Sequence, residues 1–232
     1  MTSILPAVEL ETAAHPDASI IWLHGLGADG NDFVPIVEQM GLPDTLRLRF
    51  VFPHAPVRPV TLNGGFPMRA WYDIVSLERR GPEDERGVRQ AQQAVEALIR
   101  RENERGIASE RIVLAGFSQG GAVAMYAGTR YPRSLAGIMG LSCYMLGGAR
   151  FAAERMAANQ HTPIFLAHGT QDPVVMPVLG EETRRALEQA PRLFAEQWRN
   201  YRVLRAVRQE DGRALICRQP LGGEAGCAQH VA

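Results

Sequence analysis

Short continuous apolar runs alternate along the chain with longer segments in which apolar positions recur every three or four residues. Residues 19–24 (Ser-Ile-Ile-Trp-Leu-His) predict a buried strand that runs into Gly25-Leu26-Gly27. Residues 46–53 predict a second strand, stopped by Pro53, and residues 111–116, 135–141 and 163–168 predict three more. Between them, residues 86–105 carry Val88, Ala91, Val95, Leu98 and Ile99, the spacing of an amphipathic helix. Residues 119–130 and 178–190 also predict helices, the first ending before Pro132. Fully apolar strands alternating with helices specify a mostly parallel sheet covered by helices on both faces. Residues 54–84 break the pattern. They hold Pro56, Pro59, Gly64, Gly65, Pro67, Gly81 and Pro82, and predict a long loop of the kind that often carries function. There is no internal repeat and no interdomain linker.

Length and composition narrow this picture. A chain of 232 residues fits one α/β domain better than two. Aromatic residues are only 7% of the chain, so Leu, Val, Ile and Ala must fill most of the core. The 25 basic and 25 acidic side chains balance, which gives no electrostatic basis for binding nucleic acid or an anionic membrane. Lys is absent, a bias of composition rather than of function. Cys143, Cys217 and Cys227 are odd in number and lack zinc-site spacing, which suits a reducing compartment. The first ten residues have neither the basic start nor the apolar run of a signal peptide, and no stretch approaches 18 apolar residues. The expectation is a cytoplasmic protein without a membrane span.

The sharpest chemical signal is Gly116-Phe117-Ser118-Gln119-Gly120. A nucleophile elbow needs a strand, a tight strained turn with the nucleophile at its apex, and a helix. Here the predicted strand 111–116 precedes the turn and the predicted helix 119–130 follows it. Gly116, Gly120 and Gly121 supply the lack of bulk that the turn demands. Ser118 would then stand at a helix N-terminus, where the backbone N–H of Gln119 is placed to donate to an oxyanion. An ordinary Gly-rich turn with an incidental serine accounts for the same five residues.

A second oxyanion donor usually comes from the loop after an earlier strand. His24-Gly25-Leu26-Gly27 follows such a strand, though a simple turn with a buried, structural His24 fits equally well. A triad acid belongs after the next-but-one strand, where His168-Gly169-Thr170-Gln171-Asp172 stands. Asp172 precedes Pro173, so it is either an exposed carboxylate able to orient an imidazole or a turn-forming Asp-Pro. His54 and His168 read as structural, and His15 and His161 as surface residues.

Taken together, the segments 24–30 (HGLGADG), 52–56 (FPHAP), 71–73 (WYD), 116–121 (GFSQGG) and 168–175 (HGTQDPVV) resemble, in order and spacing, the bacterial carboxylesterase/acyl-protein thioesterase family over about residues 17–190. The resemblance implies an α/β-hydrolase fold and hydrolysis of carboxylic esters or thioesters with short to medium acyl chains. It implies Ser118 as nucleophile, Asp172 as triad acid, and the N–H groups of Leu26 and Gln119 as the oxyanion hole. Trp71-Tyr72-Asp73 and the 54–84 loop would border the acyl pocket. No metal or organic cofactor is implied. The substrate would be a small ester or thioester or an acylated protein. A homodimer is compatible with the family.

The chain departs from the family after the acid. A triad histidine should lie in a stretch resembling Y-P-M-x-H-x-V-C-x-E-E-I. Tyr201, Val207 and Glu210 fit that register, which puts Arg205 at the histidine position. Arginine stays protonated and cannot serve as a general base. The only histidine after Asp172 is His230, close to the terminus and a weak substitute. Residues 212–232 have no sustained apolar period and contain Pro220, Gly222, Gly223 and Gly226. Residues 1–200 thus read as one α/β-hydrolase domain, and 201–232 as an atypical, loosely ordered segment. Two functions are compatible with this sequence: a serine hydrolase working through a Ser118 acyl-enzyme, or a catalytically impaired homologue that binds a ligand or partner because of Arg205.

Overall fold

The computed structural model describes residues 4–43, 45–77, 81–148 and 154–189, together with the backbone of two strands at 204–208 and 214–218. Six strands form the central sheet: β1 (Ala7–Glu11), β2 (Ala18–Leu23), β3 (Leu48–Pro53), β6 (Ile112–Phe117), β7 (Gly137–Leu141) and β8 (Ile164–Ala167). Their order is β1-β3-β2-β6-β7-β8. All neighbours run parallel except β1, which lies antiparallel on β3 with Val8 opposite Phe52. The helices are α1 (Val34–Gln39), α2 (Glu85–Glu104), α3 (Gln119–Arg130) and α4 (Pro177–Gln189). The five strands and three helices predicted from periodicity all form, with ends displaced by a residue or two, as is usual at element boundaries.

The central strands are apolar throughout because both faces are covered. Ile21 and Leu23 of β2, Val51 of β3 and Leu114 of β6 pack with Val88, Val95, Leu98 and Ile99 of α2 and with Ala122, Val123 and Tyr126 of α3. The alternate residues, Trp22, Phe50, Phe52 and Ala115, turn to the opposite face and meet Val37 of α1. Strand periodicity of two thus splits one apolar run between two cores.

Strand β1 was not predicted, although its sequence alternates. Val8 and Leu10 join the core on the α1 side. Glu9 pairs with Arg101 and Arg105 of α2 at 2.7 and 2.8 Å, and Glu11 pairs with Arg49 at 2.8 Å. Arg49 continues to the fully buried Glu102 at 3.0 Å. Five residues are too few for alternation to stand out, and it takes α2 to supply cations to their polar side.

The 54–84 segment is more structured than a loop. β4 (Val57–Pro59) and β5 (Pro67–Arg69) form an antiparallel hairpin around a short 3-10 turn at Thr61–Asn63. Asp73 accepts hydrogen bonds from the N–H and hydroxyl of Thr61 at 2.7 and 2.6 Å. Asp84 accepts from Asp73 N–H and caps α2 through Gly87 N–H, both at 2.9 Å. The prolines and glycines that signalled a loop are the residues that turn this compact substructure. β9 (Leu204–Arg208) and β10 (Ala214–Arg218) pair antiparallel, with Arg205 opposite Cys217, inside the segment where no element was predicted. Among the described residues, no helix is long and apolar enough to cross a membrane.

Helix α3 enters the sheet at very close range. A Cβ on Gly120 would lie 2.3 Å from the Leu23 carbonyl oxygen and 2.4 Å from that of His24, both backbone atoms. Gly120→Ala is therefore expected to cost about 3 kcal/mol of stability, measured by urea denaturation. A loss below about 0.5 kcal/mol would mean that β2 and α3 have slack that this packing denies.

Candidate active site

Ser118 connects β6 to α3 with φ 52° and ψ −119°. Positive φ is uncommon for a residue with a Cβ and costs of order 1–3 kcal/mol. It is held by its neighbours. Ser118 N–H donates to the Leu141 carbonyl at 2.9 Å, and the Ser118 carbonyl accepts from Ala122 N–H at 3.0 Å. A Cβ on Gly116 would sit 2.4 Å from the Gly120 carbonyl, so only glycine lets the turn fold back on itself. This is the geometry expected of the elbow.

The loop after β2 reaches the serine. The position of a Cβ on Gly25 lies 3.6 Å from Ser118 Cβ, and Leu26 lines the same cavity as Ser118. Gln119 opens α3, whose first N–H groups have no partner within the helix. Leu26 and Gln119 therefore flank the serine from two sides. His24 supports this loop and is not a reacting group. It is fully buried, its Nε2 accepts from Ala55 N–H at 3.0 Å, and Nδ1 lies 2.7 Å from the Gly25 carbonyl. With Nε2 accepting, Nδ1 carries the proton and donates, and burial pushes the imidazole pKa down, keeping it neutral. His54 Nδ1 likewise accepts from Gly30 N–H at 3.1 Å.

Asp172 follows β8 and lines the same cavity as Ser118. Its Oδ1 accepts from the N–H groups of Val174 and Val175, both at 2.9 Å. The Ser142 side chain also hydrogen bonds to the carboxylate. Burial pushes the Asp172 carboxyl up. The two backbone donors, Ser142 and the nearby His168 outweigh burial and hold it below its ordinary value of 3.8. His168 Nε2 lies 3.7 Å from Asp172 Oδ2 but 2.7 Å from the Val175 carbonyl, which takes its hydrogen bond. It lines a separate cavity on the α4 side.

The cavity over Ser118 has a volume of about 480 Å³. Its walls are mainly apolar, with Phe33, Ile74, Leu77, Phe117, Val175 and Leu179 among them. The expectation that Trp71-Tyr72-Asp73 borders it needs correcting, since the lining comes from Ile74, Ser76 and Leu77 just beyond. Trp71 and Tyr72 are instead buried supports. Gln119 Oε1 accepts from Trp71 N–H at 3.0 Å, Gln119 Nε2 donates to the Tyr72 carbonyl at 2.8 Å, and Trp71 Nε1 donates to the His24 carbonyl at 2.9 Å. Sequence reasoning assigned Gln119 only a backbone role. Its side chain, 1% exposed, ties the elbow to the 54–84 segment. Ser142 was also missed. It carries a second positive φ, 44°, beside the site. Neither residue has a sequence signature beyond a polar side chain next to a strand end.

Cys143 is buried against this region, and burial pushes its thiol up to about 12, so it packs rather than reacts. Arg205 is described only as part of the β9 backbone, and His230 lies outside the described residues. Among the described residues, no histidine lines the Ser118 cavity.

Comparisons with known proteins place this geometry. A phospholipase/carboxylesterase family model matches residues 6–202. Acyl-protein thioesterase 1 of Neurospora crassa is 40% identical over 192 residues, covering 79% of this chain and 78% of that protein. Acyl-protein thioesterase 1 of Schizosaccharomyces pombe is 37% identical over 187 residues, covering 81% and 83%. The crystal structure of Zea mays acyl-protein thioesterase 2 superposes with a TM-score of 0.68 at 28% identity, covering 87% of this chain and 88% of that one.

Two predictions follow from the hydrogen bonds. Gln119→Met keeps the bulk but removes the hydrogen bonds to Trp71 N–H and the Tyr72 carbonyl in the core, so it should cost about 2–4 kcal/mol in urea denaturation. A neutral result would mean that the 54–84 segment is not held from the elbow. Ser142→Ala should raise the titration midpoint of the Asp172 carboxyl, followed by carbon NMR. A depressed carboxyl stabilises the fold fully above 3.8 and loses that contribution as pH falls through its folded midpoint. The stability gap between wild type and Ser142→Ala should therefore be constant above about pH 5 and narrow below 3.8. A gap independent of pH would mean that Ser142 does not act through Asp172.

Proposed function

The chain belongs to the phospholipase/carboxylesterase family, a group of ester- and thioester-cleaving serine hydrolases with the α/β-hydrolase fold, and we propose that it hydrolyses short- to medium-chain acyl esters or thioesters through a Ser118 acyl-enzyme. The observation that carries this reading is the strained Ser118 backbone at the mouth of an apolar cavity that also holds Asp172. In the proposed reaction, Ser118 Oγ attacks the acyl carbonyl. The developing oxyanion accepts hydrogen bonds from the N–H groups of Leu26 and Gln119. Collapse of the tetrahedral intermediate expels the alcohol or thiol, which takes the proton released by Ser118. Water then attacks the acyl-enzyme by the reverse sequence and frees the acid. The apolar walls accept the acyl chain. An acylated protein is a candidate substrate, in keeping with the names of the thioesterase relatives.

The mechanism needs a base for the Ser118 proton, and two readings separate here. In the first, the C-terminal segment returns and His230 accepts the proton, with Asp172 fixing its tautomer. In the second, Arg205 occupies the histidine position and pairs with Asp172, and the chain is a binding homologue with residual turnover. The second is favoured by Arg205 in the register of the family's histidine, because a guanidinium stays protonated and cannot accept the Ser118 proton.

Hydrolysis of p-nitrophenyl butyrate by wild type, Ser118→Ala and His230→Ala separates the two. Turnover that falls by about 10³-fold or more in both variants is expected of the hydrolase with His230 as base. Wild-type turnover no faster than Ser118→Ala establishes the binding homologue. In that case Arg205→His should raise kcat by about 10²-fold or more.

A further inference from the structure

The cavity over Ser118 does not end at open solvent on every side. On the side of the 54–84 segment it shares Tyr144 with a second, much smaller cavity of about 40 Å³. Tyr144, Ile74 and Ser76 line both spaces, so they form the partition between them. Tyr144 is by far the largest of the three, and only 8% of it is exposed.

The ring is held in place by a relay that begins at the elbow. Tyr144 Oη lies 2.5 Å from Tyr72 Oη, a short hydroxyl–hydroxyl hydrogen bond. Tyr72 is 3% exposed, and its carbonyl accepts from the Gln119 side chain at 2.8 Å. A buried phenol needs a partner for its hydroxyl, and swinging either ring aside breaks this bond. The partition is therefore a rigid wall, unlike one made by Leu or Met, which would yield to a longer chain.

We propose that Tyr144 is a specificity-determining residue that closes the far end of the acyl cavity and sets the longest chain it accepts, with Tyr72 positioning it. This rests on the reading that the acyl chain occupies the Ser118 cavity. Each methylene that enters an apolar cavity adds about fourfold in affinity, until the chain end meets the wall and the gain stops.

The test is calorimetric binding of 2-alkanones, lengthened two carbons at a time, to wild type, Tyr144→Ala, Tyr144→Leu and Tyr144→Phe. The ketones keep the carbonyl of an ester and cannot be hydrolysed. Wild-type affinity is expected to rise by roughly 16-fold per two carbons and then level off. Tyr144→Ala should move the levelling point to chains at least two carbons longer. Tyr144→Leu, a safeguard should Ala disturb the fold, should move it in the same direction. Tyr144→Phe retains the ring but loses its tie to Tyr72, so it should move the levelling point by less than Tyr144→Ala. An unchanged levelling point in both Tyr144→Ala and Tyr144→Leu overturns the proposal, and so does wild-type affinity that does not depend on chain length. The readout is independent of turnover. Loss of ester hydrolysis with a movable levelling point would sink the hydrolase reading alone.

Discussion

The backbone of Ser118, at φ 52° and ψ −119°, is the constraint around which the site is built. Nothing local favours it, since a residue with a Cβ loses stability there. It persists because three separate parts of the sheet demand it. Ladder pairing carries β6 up to Phe117, the Leu141 carbonyl takes Ser118 N–H, and Gly120 must pass within contact distance of the β2 carbonyls. The strain thus comes from the core, whose packing supplies far more stabilisation than the turn consumes. Its product is a serine set between the end of β6 and the N-terminus of α3.

From that turn, order spreads outward through Gln119. Its side chain hydrogen bonds to buried backbone groups of Trp71 and Tyr72. Trp71 returns the favour to the oxyanion loop by donating to the His24 carbonyl. His24 in turn holds Ala55 and Gly25. The nucleophile turn, the loop carrying Leu26 and the hairpin segment therefore form one connected polar network inside an apolar core. Such a network rigidifies its surroundings because each unsatisfied member would cost about 1–3 kcal/mol. The Tyr72–Tyr144 pair extends the same logic to the far wall of the cavity.

Asp172 is set apart by electrostatics. It stands at a strand end with two backbone donors and Ser142 directed at it, so it stays ionised despite partial burial. The described histidines near the site are committed elsewhere. His24 and His54 hold backbone, and His168 binds the Val175 carbonyl. An ionised carboxylate and a strained serine share one cavity, and the functional question reduces to which group accepts the Ser118 proton.

The sequence by itself determined the sheet, its helices and the serine. Continuous apolar strands and a 3.6-residue period are local patterns, and Gly116-Phe117-Ser118-Gln119-Gly120 carries its own steric reason. It also marked Asp172, because an Asp-Pro after a predicted strand is a local feature. Only the tertiary structure decided that β1 joins the sheet, since five alternating residues acquire meaning when Arg101 and Arg105 face Glu9. Tertiary structure likewise decided that Trp71 and Tyr72 support the cavity instead of lining it, and that Gln119, Ser142 and Tyr144 belong to the site. Those roles rest on partners 47 to 72 residues away for most of the contacts involved. Hydrogen-bond satisfaction across such separations leaves no period and no motif in the chain. It exists only once the backbone has been folded to bring the partners together.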